Sequence, residues 1–190
     1  QKILEWFKSR TITETKGVFS GIPFDELVSL EPHYFVEKEK GKQKTLNVIY
    51  KGFQYDFGVG GIHGSGNPGI YISDDDYELW DWDVASYYPN LAIMNRFYPE
   101  HFGEIFCDIY EGIYIERQGY PKKTHPAENI ALKLALNGSY GKSNSEYSAL
   151  YDPLYTMKTT VNGQLLLCML SERLMEEIPD CTMIQINTDG

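Results

Sequence analysis

The tripeptide Gly119-Tyr120-Pro121 constrains this chain more than any other short stretch, because it separates two long segments that otherwise read as helix. The first runs from Pro99 to about Arg117. The second begins near Thr124, where Thr124, Pro126 and Glu128 supply helix-start signals, and runs to Gly141. Helices joined by so short a connection must pack antiparallel.

The remaining elements are read around that pair. Thr45 to Tyr50 has strand composition, and Gln54-Tyr55-Asp56-Phe57 alternates ahead of a glycine cluster (Gly58, Gly60, Gly61, Gly64, Gly66, Gly69), with Ile70 to Ser73 as the second strand of a hairpin. Leu79 to Val84 predicts a strand ending at Asp83. Pro89 then starts a helix through Asn95, since proline is favoured in a first turn. Leu154 to Val161 suggests a strand, Asn162 to Glu177 an amphipathic helix carrying Leu165, Leu166, Leu167, Met169, Leu170 and Leu174, and Thr182 to Asn187 a last strand. Short helices are expected at Ile3 to Phe7 and Phe24 to Val28, and a charged loop from Glu31 to Lys44. The order strand, three helices, strand, helix, strand is an α+β layout, with the antiparallel helices projecting between two acid-bearing strands.

With 42% hydrophobic and 14% aromatic residues, the chain has ample material for a packed core. It begins with Gln1 and stops on Thr188-Asp189-Gly190 where a strand would turn and return, so a fragment of a longer protein is expected. No window approaches the apolar length of a membrane span, and the first residues lack a signal-peptide pattern. Cys107, Cys168 and Cys181 are odd in number and embedded in apolar runs, as for packed thiols in a reducing compartment. The net charge of −10 weighs against a polyanion partner, but its distribution is uneven. Acids crowd at Asp74, Asp75, Asp76, Glu78, Asp81 and Asp83, whereas Arg117, Lys122, Lys123, Lys133 and Lys142 share one middle segment able to face nucleic acid.

Three stretches carry chemistry. In Asp83-Val84-Ala85-Ser86-Tyr87-Tyr88-Pro89-Asn90 a carboxylate precedes a turn into a helix, an arrangement that can hold a hard metal ion beside backbone N–H groups suited to phosphate oxygens. In the second long helix Lys133, Asn137 and Tyr140/Gly141 fall on one stripe, which makes a poor core; a solvated face ending in a glycine cap is the plainer reading. Arg117 stands about four residues before the turn and Lys133 about nine after it, so at roughly 1.5 Å per residue their offset is ~7 Å and both can grip one triphosphate. At the end lies Asn187-Thr188-Asp189-Gly190. Asp83 and Asp189 at neighbouring strand ends can bridge two divalent cations about 3.5–4 Å apart, the requirement of nucleotidyl transfer. The glycine cluster can bring N–H groups to phosphate but lacks a P-loop ending, and a plain turn is the alternative. His63 has no partner at metal spacing, and Asp74-Asp75-Asp76 is out of register for an EF-hand.

Together these stretches resemble motifs A, B and C of the family B DNA polymerases, of the phage or protein-primed type. Motif A, DxxSLYPS, appears at Asp83 to Asn90 with departures at Tyr87 and Asn90; motif B, KxxxNSxYG, at Lys133 to Gly141 with Gly138 for serine; motif C, Asp-Thr-Asp-Ser, as Asn187 to Gly190, keeping the second acid. Gly60-Gly61-Ile62-His63-Gly64 resembles the glycine-rich segment near the template, with Gly58 in place of its tyrosine, and Thr159 to Gln164 resembles the segment leading into the palm helix.

The resemblance implies an antiparallel palm sheet with packed helices and a two-helix fingers projection. Residues 1–73 would lead into the palm, 74–99 would form palm, 100–142 fingers, and 143–190 palm again. It further implies that Asp83 and Asp189 are catalytic and bind Mg2+ (two ions, Mn2+ as the substitute) together with the Val84 carbonyl. Ser86, Tyr87, Tyr88, Arg117, Lys133 and Asn137 would bind the nucleotide, with Tyr88 under the sugar excluding a 2′-hydroxyl. Tyr140, Gly141, Gly60 and Gly61 would touch DNA. The implied partners are primer-template DNA and dNTPs, with priming by an oligonucleotide or by a terminal protein and no membrane; a phage-encoded enzyme would work in the host cytoplasm. The rival is a degenerate polymerase-like module that binds nucleic acid without catalysis, favoured by Asn187 and Gly190.

Overall fold

Lys51 and Gly52 both take positive φ, 50° and 80°, the two-residue turn whose twist matches that of its flanking strands. Leu46–Tyr50 (β1) therefore folds straight back on Phe53–Phe57 (β2), with Tyr50 opposite Phe53. The computed structural model describes residues 46–58 and 60–190. The helices expected at Ile3 to Phe7 and Phe24 to Val28, and the loop from Glu31 to Lys44, lie outside the described residues.

Ile62–Ser65 (β3) pairs with β2, and Gln185–Asn187 (β4) with β3, giving a four-stranded antiparallel sheet in the order β1-β2-β3-β4. Alternation sends Phe53, Tyr55, Phe57, Ile62 and Ile186 to one buried face. Gly64, opposite Tyr55, completes that face without a side chain, because a Cβ there would run into the Phe53 ring. The vacated space lets Phe53 and Tyr55 meet edge to face with ring centroids 4.8 Å apart.

Four helices follow β3 and precede β4: Tyr87–Asn95 (α1), Ile105–Gln118 (α2), Pro126–Lys142 (α3) and Pro153–Glu177 (α4). The class is thus α+β, a four-stranded antiparallel sheet plus four helices. The described residues divide into two compact units, one reaching to Val84 and including Gly163–Gly190, the other Ala85–Asn162. In the first, Gln164, Leu165, Cys168, Ser171 and Glu172 form a buried stripe on α4 at helical spacing, and the Tyr55 hydroxyl hydrogen-bonds that of Ser171. In the second, Ala92, Ile93, Tyr110, Leu136 and Tyr155 make the core, drawn from α1, α2, α3 and α4. Arg96 closes α1 in a left-handed conformation and bridges Glu104 and Asp108, joining the end of α1 to the start of α2.

Three sequence readings are corrected. Ile70 to Ser73 is not a strand; the partner of β2 is β3. Leu79 to Val84 is irregular, with Leu79, Trp80, Trp82 and Val84 all exposed, so its alternation covers no core. Leu154 to Val161 is the first half of α4, not a strand. The segment expected to be helical from Pro99 begins at Ile105, after a pair of turns at residues 99–103, and β4 is shorter than the expected Thr182 to Asn187.

Candidate functional site

Within the sheet-containing unit, the structure brings the Asp83 and Asp189 segments together. The Val84 N–H donates to the Asp189 carbonyl at 2.8 Å. Gly190 lies so near the Trp82 carbonyl that a Cβ would collide with it, so the position has no room for a side chain. Neither acid stands in a strand: β4 ends at Asn187 and Asp189 occupies the turn beyond it, while Asp83 ends the irregular stretch. Asp83 is exposed and Asp189 half-buried. Two carboxylates beside main-chain carbonyls are hard oxygen donors, which fit Mg2+ better than a soft or imidazole-seeking metal. Among the described residues no group of three His, Cys, Asp or Glu gathers to hold an ion. A hard ion on this pair would take its remaining oxygens from water or a bound ligand.

The same unit holds the glycine-rich loop. Gly60 is exposed and Gly61 buried. The Gly58 N–H donates to the Gly61 carbonyl at 2.9 Å, and the buried Gln164 amide donates to both the Gly58 and Gly61 carbonyls at 2.7 and 2.9 Å. One α4 side chain therefore fixes both ends of the loop.

In the helical unit, Ser86 takes the left-handed conformation (φ 50°) at the start of α1, and its hydroxyl accepts a hydrogen bond from the Arg117 Nη1 at 2.8 Å. The Arg117 Nε is buried with no hydrogen-bond partner. Tyr87 is buried, and its ring stacks beside that of Tyr88 with centroids 5.8 Å apart. Tyr88 in turn stacks on Tyr140, 4.1 Å between centroids and 25° between planes. The Tyr140 hydroxyl lies 2.6 Å from Thr160 Oγ1. Burial pushes the Tyr140 phenol above its ordinary range, while hydrogen bonds with Thr160 and Tyr88 pull it back. Lys133, Asn137 and Gly141 stand exposed along α3, Tyr140 is half-buried, and Leu136, one turn from Lys133 and Tyr140, is fully buried.

Residues far apart in sequence thus meet: Ser86 with Arg117, and Tyr88 with Tyr140. Sequence reasoning gave no role to Thr160 or Gln164 by themselves. The available signal was the spacing Asp152, Thr156, Thr160, a polar residue every fourth position along what proves to be a helix. No protein-family model, curated protein or solved structure matches this chain.

Proposed function

We propose that this chain is the palm-and-fingers portion of a DNA-directed DNA polymerase, adding deoxynucleotides to a primer 3′-hydroxyl. The observation that carries this reading is the stack of Tyr88 on Tyr140, which joins the residues read from motif A to those read from motif B across more than one helix. A helix face that merely met solvent would have no reason to deliver a tyrosine to that place. The Arg117 contact to Ser86 ties the residues read from motif A to α2 as well, and leaves the buried Arg117 Nε without a partner.

In this reading the four-stranded sheet with residues 163–177 serves as palm, and α2 with α3 as fingers. Asp83 and Asp189 hold two magnesium ions, or manganese, with the Val84 carbonyl; the bound metal supplies the charge that stabilises the attacking and leaving oxygens. Ser86 and Tyr87 offer N–H groups to the triphosphate, and Arg117 and Lys133 offset its charge. Asn137 and Tyr140 line the nascent base pair, and Tyr88 packs under the sugar. Gly60, Gly61 and Gly141 approach DNA, the glycines letting a backbone come close to phosphate. The partners are primer-template DNA and dNTPs, with an oligonucleotide or a terminal protein supplying the primer. Among the described residues no helix is long and apolar enough to cross a membrane.

The test is magnesium-dependent extension of a primed template by the complete gene product, with Asp83→Asn as control. Extension lost in Asp83→Asn supports the proposal. The second reading, a nucleic-acid-binding module without catalysis, draws on Asn187 at the position of motif C's first acid. DNA retention without any extension, unaltered by Asp83→Asn, would favour it.

A further inference from the structure

Asp152 precedes α4, and Thr156 and Thr160 follow it at four-residue intervals, so the three lie one above another along a single face. All three meet the C-terminal end of α3. The Asp152 N–H donates to the Ser143 carbonyl at 2.8 Å, and Thr156 Oγ1 lies 2.7 Å from Ser143 Oγ. Ser143 Oγ donates to the Tyr140 carbonyl at 2.6 Å, and Thr160 Oγ1 reaches the Tyr140 hydroxyl at the same separation. Tyr140 is therefore gripped at both its main chain and the tip of its ring.

The proton at the tip can be assigned. Thr160 Oγ1 donates its hydrogen to the Thr156 carbonyl at 2.9 Å, so it is the acceptor toward Tyr140, whose hydroxyl donates. Thr160 is fully buried and Tyr140 partly so. Removing that acceptor would leave the hydroxyl only its hydrogen bond with Tyr88, so that the two rings would lose their shared anchor to α4 and shift together. Tyr88 would feel that shift directly, stacked 4.1 Å away.

We infer that Thr160 is a positioning residue for sugar selection: through its bond to the Tyr140 hydroxyl it sets the plane on which Tyr88 rests, and so the clearance under the incoming sugar. The inference rests on the reading of Tyr88 as the residue that faces the sugar. Excluding one added oxygen demands placement of the excluding ring to a fraction of an ångström, which a stacked pair with one end unpinned does not provide.

The experiment uses the complete polymerase and measures kcat and KM for insertion of one deoxynucleotide and the matching ribonucleotide. In Thr160→Val the discrimination ratio is expected to fall about five- to tenfold, the scale of one buried neutral hydrogen bond, chiefly through a lower KM for the ribonucleotide. Thr160→Ser, which restores an acceptor, should recover most of the ratio. Tyr140→Phe removes the same bond from the other side, together with the bond to Tyr88, and should lose at least as much, so it carries the test if Thr160→Val melts too low to assay. A wild-type ratio in Tyr140→Phe and Thr160→Val overturns the inference and leaves the polymerase reading standing. Failure of Thr160→Ser to recover the ratio overturns it also, since packing rather than the hydroxyl would then be responsible. A wild-type protein that inserts no nucleotide removes the polymerase reading itself, and the inference falls with it.

Discussion

Tyr55 shows how one side chain can couple the sheet-containing unit to pH. Its ring is fully buried against Phe53, and desolvation raises its pKa from 10.0 to about 12, with the hydrogen bond to Ser171 opposing the shift. The folded chain thus keeps a proton that the unfolded chain has lost. Stability associated with the neutral phenol is whole below the unfolded pKa and is lost as pH rises from about 10 toward the folded value. At ~1.36 kcal/mol per pK unit, the unfolding free energy is expected to drop by about 2 kcal/mol across that window. Urea unfolding measured from pH 9.5 upward checks this. Tyr55→Phe should flatten the slope, and a variant whose stability falls as steeply as wild type would assign the loss to other groups.

At the scale of elements, the entry into α4 depends on one carboxylate. Asp152 Oδ1 accepts from the Tyr155 N–H at 3.0 Å and Oδ2 from the Glu100 N–H at 2.7 Å, so a single residue caps a helix and pins the turn that leads toward α2. Asp152→Ala is expected to cost about 2 kcal/mol, a lost cap plus a second charge-assisted bond, and Asp152→Asn rather less. A shift in the urea midpoint checks both, and equal, near-zero losses would show that the turn holds without the carboxylate. The same stretch explains what the sequence concealed. Thr156, Thr159, Thr160 and Val161 carry strand propensity, yet each threonine hydroxyl bonds back to the carbonyl four residues earlier, at Asp152, Tyr155 and Thr156, and the helix absorbs them. Leu79 to Val84 misled in the opposite way, because alternation signals a strand only where one face has something to cover, and here both faces meet solvent. The helices flanking Gly119-Tyr120-Pro121 were legible because their apolar spacing and turn chemistry agree. Of the candidate site, Asp83, Arg117, Tyr140 and Asp189 could be named from order and residue type, and Tyr88 from the resemblance alone. Which of them touch depended on tertiary contacts that local pattern does not encode, and so did Thr160, whose role arises only from facing α3.

For the molecule taken whole, charge decides how nucleic acid could be approached at all. A net charge of −10 repels a polyanion at distance, so in the proposed function binding relies on the local excess of cations between Arg117 and Lys142. Arg117 already donates to Ser86, whereas Lys122 and Lys123 stand exposed at the tip between α2 and α3 with nothing polar described against them. Each lysine that neutralises one phosphate of a duplex releases counterions and adds about 0.9 to the slope of log affinity against log salt. The Lys122→Ala/Lys123→Ala double variant is therefore expected to lower that slope by about 1.8 in fluorescence-anisotropy titrations of primed duplex. Asp75→Asn with Glu78→Gln, in the exposed acidic stretch, should strengthen binding most at low salt, where the repulsion is least screened, and so steepen the salt dependence, the opposite of the lysine variant. An unaltered slope in the lysine variant would mean that the helical tip does not meet the backbone, and the cations nearer the candidate site, Arg117 and Lys133, would have to supply the affinity.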